Sequence, residues 1–134
     1  MDNVPADAAP PAHDATTLRA ELAAVLTEMA RAYAAGDAEG CAALFTQKAT
    51  IHSPLAPPAR GRAEIEALHR DWTREAAAKR FDMLECGGCG DVAWALARFS
   101  EGAATGEGVT LAVFEREPGA GWLVRTCSLT GATA

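Results

Sequence analysis

The pattern of apolar and polar positions changes period partway along the chain. Leu18, Leu22, Val25, Met29 and Tyr33 recur at helical spacing, which puts them on one stripe of a first helix. Thr16 and Thr17 precede the stripe as capping candidates, with Glu21 near enough to support one of them. Gly36 follows it, where glycine commonly closes a helix. Asp37 is placed to cap a second, short helix over residues 38–45, with Cys41, Leu44 and Phe45 turned inward. Residues 48–53 read as a strand, stopped by Pro54, Pro57 and Pro58 because proline cannot donate to a sheet ladder. After Gly61 a third helix is predicted to about Lys79, with Ile65, Leu68, His69, Trp72 and Ala76 on its inner face. From Arg80 onward the period falls to two. Residues 80–86, 92–101, 108–117 and 122–129 are strand candidates, separated by the glycine-rich stretches GGCGD, AATGEG and PGAG.

Helices first and an antiparallel meander afterwards make an α+β fold. Residues 1–16, rich in Ala, Pro and Asp and without a hydrophobic period, are expected to form a flexible tail that includes His13. Residues 17–131 would then form the domain. Within the meander, Val92, Trp94 and Leu96 alternate with Ala93, Ala95, Ala97 and Phe99, and Val109, Leu111 and Val113 alternate with Ala112 and Phe114. Both faces of that sheet are therefore apolar, whereas a sheet with one wet face alternates apolar with polar. Helices can cover one face, and a second copy of the chain is the simplest cover for the other, which predicts a homodimer across the sheet.

Composition narrows the function. The 134 residues are 49% apolar, much of that alanine, so the volume of the core falls to the larger side chains. A formal charge of -6 and a pI near 5.0 argue against nucleic acid and against anionic membrane surfaces as partners. No apolar run approaches the roughly 18 residues of a membrane span, and the first sixteen residues do not read as a secretory signal. Four cysteines (Cys41, Cys86, Cys89 and Cys127) then read as reduced thiols, and the expected location is cytoplasmic.

The stretch Tyr33-Ala-Ala-Gly-Asp-Ala-Glu-Gly-Cys-Ala-Ala-Leu-Phe45, followed by Ala49-Thr-Ile-His-Ser-Pro54 and Gly61-Arg-Ala-Glu-Ile65, resembles the opening of SnoaL-like and ketosteroid-isomerase-like proteins of the nuclear-transport-factor-2-like superfamily. Gly90-Asp-Val-Ala-Trp94, Thr110-Leu-Ala-Val-Phe-Glu-Arg116 and Gly121-Trp-Leu-Val124 are similar to the close of the same group. The resemblance spans residues 17 to 130. It implies a cone of three N-terminal helices against a curved, mainly antiparallel sheet, with a pocket at its open end and dimers as the usual assembly. It also removes one activity. The proton-shuttling Asp of ketosteroid isomerase corresponds here to Ser53, its oxyanion-hole Tyr to Met29, and a supporting Tyr to His69. No Asp stands on the 110–115 strand as a second oxyanion donor. Serine is no base at neutral pH and methionine donates nothing to an enolate, so this is not a steroid isomerase. The Asp–Arg–Asp set of limonene epoxide hydrolases is not recognisable either.

The candidate site residues follow from the stripes and the resemblance together: Met29, Tyr33, Phe45, Ser53, His69, Trp72, Met83 and Trp94. His69 is either a core-edge histidine satisfied by a backbone carbonyl or a ligand-contacting acid, base or donor. Ser53 is either a strand-end serine before proline or a hydrogen bonder in the pocket, and His52 on the same strand looks the other way. The apolar members are either plain core or pocket lining, which sequence alone separates poorly. Cys86-Gly-Gly-Cys89 lacks the following helix that activates redox thiols, and no second ligand pair accompanies it for zinc. It reads as a glycine-rich hairpin. Arg60, Arg62, Arg70 and Arg74 with Glu64, Glu66 and Glu75 read as a solvated mixed-charge face. The first expectation is a pocket for a small, largely apolar ligand, with isomerase- or cyclase-like chemistry as its catalytic form and no cofactor or metal. The alternative is a non-catalytic homodimerisation module, and a thiol-redox protein comes last.

Overall fold

A computed structural model describes residues 14–54, 56–75, 78–100 and 107–131. The described chain runs α1 (Ala15–Ala34), α2 (Ala38–Ala42), β1 (Phe45–Ser53), β2 (Ala56–Arg60), α3 (Arg62–Trp72), a 3-10 turn (Thr73–Glu75), β3 (Arg80–Cys89), β4 (Val92–Ser100), β5 (Glu107–Glu117) and β6 (Gly121–Gly131). The six strands form one sheet in the order β2-β1-β6-β5-β4-β3. All neighbours are antiparallel except β1 and β6, which run parallel. The architecture is α+β. The grouping of three helices ahead of the sheet is not seen: α2 is five residues long, and β1 and β2 come before α3.

Local chemistry explains the element ends. Asp14, not Thr16 or Thr17, caps α1, its carboxylate accepting from the Thr17 amide at 2.9 Å. Ala15 and Thr16 are therefore helical, while residues 1–13 of the expected tail lie outside the described residues. At the other end Gly36, with φ of +71°, closes α1 with paired bonds: its amide reaches the Tyr33 carbonyl and that of Asp37 the Ala32 carbonyl. Asp37 then caps α2 by accepting from the Gly40 amide. α2 ends three residues before the expected Phe45, which instead begins β1. α3 stops at Trp72, and Ala76 lies outside the described residues.

Two expectations about prolines and glycines are corrected. Pro57 and Pro58 do not exclude a strand; they sit exposed on β2, an edge strand that pairs Ile51 with Ala59 and Thr50 with Arg60. An edge tolerates proline because one side of its ladder needs no donor. Cys86-Gly-Gly-Cys89 is not a turn either: β3 continues through Cys89, and Gly90-Asp91 alone turns the chain.

The register lays the inner face out in rows that cross the sheet. Gly88, Ala93, Phe114, Val124 and Phe45 form one row; Cys86, Ala95, Ala112, Cys127 and Ile51 form the next; Met83, Ala97, Thr110 and Leu129 form a third. Ala93, Ala95 and Ala97 are each only 1% exposed, so β4 presents small side chains to the helical layer. α1 packs on β3 and β6, while α3 packs on α2, β1 and β2. Leu22, Cys41, Phe45, Ile51, Ile65 and Phe114 form the fully enclosed centre. Burying each of the larger ones contributes about 1.5–3 kcal/mol relative to exposure.

The outer face is less uniform than its sequence implied. Val92, Trp94 and Leu111 are 52%, 37% and 46% exposed, with Leu84 at 41% beside them. Toward β6 and β1 the rows turn polar: Val113 pairs with Thr126 and Leu111 with Ser128, and the Thr126 and Thr50 hydroxyls lie 2.7 Å apart. Gly87 has a structural reason on this face, since a Cβ there would stand 2.9 Å from the Trp94 indole nitrogen lying across it.

Candidate functional site

A cavity of about 40 Å³ lies between the helical layer and the inner face of the sheet. Leu26 and Met29 of α1, His69 and Trp72 of α3, Phe45 and Ile51 of β1, and Phe81 of β3 wall it. Ala112, Val124, Cys127 and Leu129 supply the sheet side, with Thr110 and Lys79 as further polar members. Trp72, Lys79, Phe81 and Leu129 keep partial exposure, whereas Met29, Phe45, Ile51 and His69 are buried. The mouth is thus at the first group and the floor at the second.

His69 is 3% exposed. It lies one turn beyond Ile65, so its ring folds back along α3 and its Nδ1 sits 2.9 Å from the Ile65 carbonyl. A carbonyl only accepts, so Nδ1 carries the proton, and Nε2 is the basic nitrogen of the neutral ring. Aromatic neighbours fix the ring plane: Trp72 and Phe45 centroids lie at 5.5 and 5.8 Å, and Tyr33 stands edge-on at 6.5 Å. Tyr33 is tied to α3 by a 3.3 Å bond from its hydroxyl to the Trp72 carbonyl. The Thr73 hydroxyl donates to the His69 carbonyl at 2.7 Å and finishes the helix end. Arg62, expected on a solvated face, instead donates through its guanidinium to the Phe45 carbonyl and pins the start of α3 to β1.

Burial dominates the electrostatics of Cys41 and Cys127. It pushes the Cys127 thiol up to about 12 and the Cys41 thiol up to about 11, the Lys79 ammonium pulling modestly the other way in both. Both thiols stay protonated at neutral pH and act as small apolar groups with no nucleophilic character.

The structure brings together four of the residues singled out from sequence, Met29, Phe45, His69 and Trp72, and places Tyr33 behind His69 and Trp72. It does not bring Ser53 to them. Ser53 ends β1, half-buried and paired with Ala56, and is not part of the cavity wall. Met83 lies on the inner face but is not part of that wall, its carbonyl accepting from Arg19 at 2.8 Å. Trp94 points out of the opposite face. Cys86 and Cys89 fall in an inner and an outer row, so their thiols leave β3 on opposite sides and are not joined to each other. Lys79, Thr110 and Cys127 were missed. Thr110 was legible as the one polar side chain in the inward series Gly108, Thr110, Ala112 and Phe114; Lys79 carried no signal, standing where a helix was expected to end. Among the described residues no cluster of three or more His, Cys, Asp or Glu could hold a metal ion, and no helix is long and apolar enough to cross a membrane.

Solved structures share this fold at low identity. A domain of unknown function with a cystatin-like fold from Nostoc punctiforme superposes with a TM-score of 0.75 at 20% identity, covering 90% of this chain and 81% of that one. An NTF2-like protein from Novosphingobium aromaticivorans gives 0.74 at 21% identity, over 87% and 82% of the two chains. A Streptomyces avermitilis protein of the NTF2-like family, proposed to be a dehydratase, gives 0.73 at 19% identity, over 90% and 100%. No curated protein matches the sequence. The family model of the SnoaL-like domain matches residues 26–120, a span that carries the end of α1's inward stripe with Met29 and Tyr33, all of α3 and most of the cavity walls. The chain belongs to the SnoaL-like domain family and shares its cystatin-like fold with NTF2-like proteins of known structure.

Proposed function

We propose that the protein binds a small, largely apolar molecule in the cavity beneath α1 and α3, with His69 as the acid–base group of the site. The observation that carries this reading is a histidine held by its Nδ1 proton and three aromatic rings in the wall of an otherwise apolar space. Fixing Nδ1 as donor leaves Nε2 as the nitrogen able to take and return a proton. Isomerisation, cyclisation and dehydration each need such a transfer, and the dehydratase assignment of the Streptomyces avermitilis relative is in keeping with it. The volume of about 40 Å³ is far below the roughly 300–1,000 Å³ of a pocket for drug-sized molecules. The occupant is therefore small, or enters as Trp72, Lys79 and Phe81 swing outward at the mouth.

Cyclohexanone tests both halves of the proposal. It is expected to raise the melting temperature and to perturb the amide resonances of Met29, His69 and Ala112. In D2O the protein is expected to exchange the protons next to the carbonyl, and His69→Gln to lose that exchange while keeping the binding. Absence of any shift at the cavity residues would end the binding reading.

A second reading concerns assembly, and the exposed Leu84, Val92, Trp94 and Leu111 favour it. Apolar area of this kind on a sheet face marks an association surface, and a second copy of the chain placed face to face would cover it. In that reading the protein is a homodimer whether or not the cavity is used.

A further inference from the structure

We infer that Thr110 recognises the guest through its hydroxyl, and that the guest is a small neutral molecule with one hydrogen-bonding oxygen, a ketone or an alcohol, on a hydrocarbon frame. The inference rests on the cavity being a binding site and adds the chemical class of its occupant. Thr110 lies on β5 between Ala97 of β4 and Leu129 of β6. It is 5% exposed and forms part of the cavity wall. Its two row neighbours carry no polar side-chain atom, and among the described residues its hydroxyl has no hydrogen-bond partner. A buried hydroxyl without a partner is a cost that valine, of nearly the same shape, would avoid.

The other polar members of the wall have engagements of their own. His69 holds the Ile65 carbonyl through Nδ1, and the Lys79 ammonium lies 4.2 Å from the Tyr33 ring centroid. Burial keeps the Cys127 thiol protonated, and a thiol is a weak donor. Thr110 is therefore the group best placed to meet an oxygen of the guest. A hydroxyl donates one hydrogen bond, accepts others and turns to suit, so it serves a carbonyl or an alcohol equally. It carries no charge, and an ionised guest would leave water without the compensation that such a neutral partner cannot give. Among the described residues no carboxylate lines the cavity to receive a cation.

Cyclohexanone and methylenecyclohexane share one ring and differ only in C=O against C=CH2. They leave water at different cost, so each probe is compared between variants, by NMR titration into the full chain. Thr110→Val is expected to weaken cyclohexanone about tenfold, because the ketone then enters without a partner. The same variant is expected to bind methylenecyclohexane as tightly as the native chain, or more so. Thr110→Ser keeps the hydroxyl and is expected to hold cyclohexanone close to the native affinity. Without a guest, Thr110→Val should unfold at a urea concentration equal to or above the native midpoint. A lowered midpoint would mean that the hydroxyl is already satisfied inside the protein, and would overturn the inference. An equal effect of Thr110→Val on both probes, or on neither, would overturn it as well; loss of both probes in Ala112→Val would then leave the binding site standing. If neither probe shifts a cavity resonance of the native chain, both the inference and the binding reading fall.

Discussion

Ala112→Val tests whether the space in the core is real and whether it is used. Ala112 lies in the middle of β5, between Ala95 of β4 and Cys127 of β6, and its β-carbon faces the cavity. Valine adds two methyl groups there without changing strand character, since β-branched residues suit a strand. An unfilled space costs about 24 cal/mol per Å³, so filling all of the 40 Å³ returns at most about 1 kcal/mol. Imperfect fit reduces that, and the expected gain is about 0.5 kcal/mol in urea unfolding, with an unchanged slope against denaturant. Binding of cyclohexanone should disappear in the same variant. A variant that is more stable and no longer binds identifies the void as functional. Overpacking in an already filled core costs typically 1–3 kcal/mol. A loss in that range would refute the reasoning, because it would mean that the space above Ala112 is occupied in solution.

Other consequences are tested more directly. Trp94→Lys combined with Leu111→Lys should leave far-UV dichroism unchanged and convert a dimer to a monomer in light scattering; a wild-type monomer at micromolar concentration would remove the assembly proposal. Gly36→Ala should destabilise by about 1–2 kcal/mol, because φ of +71° suits glycine and strains a residue with a β-carbon, and an unchanged urea midpoint would contradict the closing geometry of α1. The cysteines give a pH limb. Because folding raises the Cys127 and Cys41 thiols to about 12 and 11, above the ordinary 9.0, their contribution is intact below pH 9 and declines as pH rises from there through the folded values. Cys127→Val should flatten that alkaline decline, and an identical decline would mean that Cys127 is not buried. In the native protein Cys89 should react with a thiol reagent well before Cys41, an order checked by peptide mapping.

What was legible in the sequence and what was not divide along physical lines. The stripe from Leu18 to Tyr33 and the alternation on β4 and β5 report burial on one face, and burial is decided locally by spacing, so α1 and the meander came out close to their true bounds. Ends were harder. Asp14 outcompeted Thr16 and Thr17 as a cap, and the choice among neighbouring oxygens depends on where the backbone leaves the helix. Pro57 and Pro58 misled because their exclusion from a sheet holds for central strands, and nothing local says that β2 is an edge. For the site, Met29, Phe45, His69 and Trp72 were found because they lie on inward stripes. Ser53 was carried over from a relative with an aspartate there, yet in this chain β1 ends on it beside Ala56. Trp94 was assigned inward, but the rows show that Ala93 and Ala95 hold the inner face and send Trp94 out. Lys79 escaped because its position depends on how the chain returns from α3 to β3.

Ala112 of β5 joins fold and the proposed site in one physical argument. A sheet whose inner face carried leucine at position 112 would fill the space below His69 and gain apolar burial. The small side chains of Ala112 and Cys127 instead leave the ring of His69 bordering a void. Void volume is a standing cost to stability, and close packing is the ordinary condition of a protein interior. The rings of Trp72, Phe45 and Tyr33 surround the histidine, with centroids at 5.5, 5.8 and 6.5 Å. Packing alone therefore gives no reason for the arrangement, whereas the proposed guest would: on that reading the space beside His69 is the volume left for it.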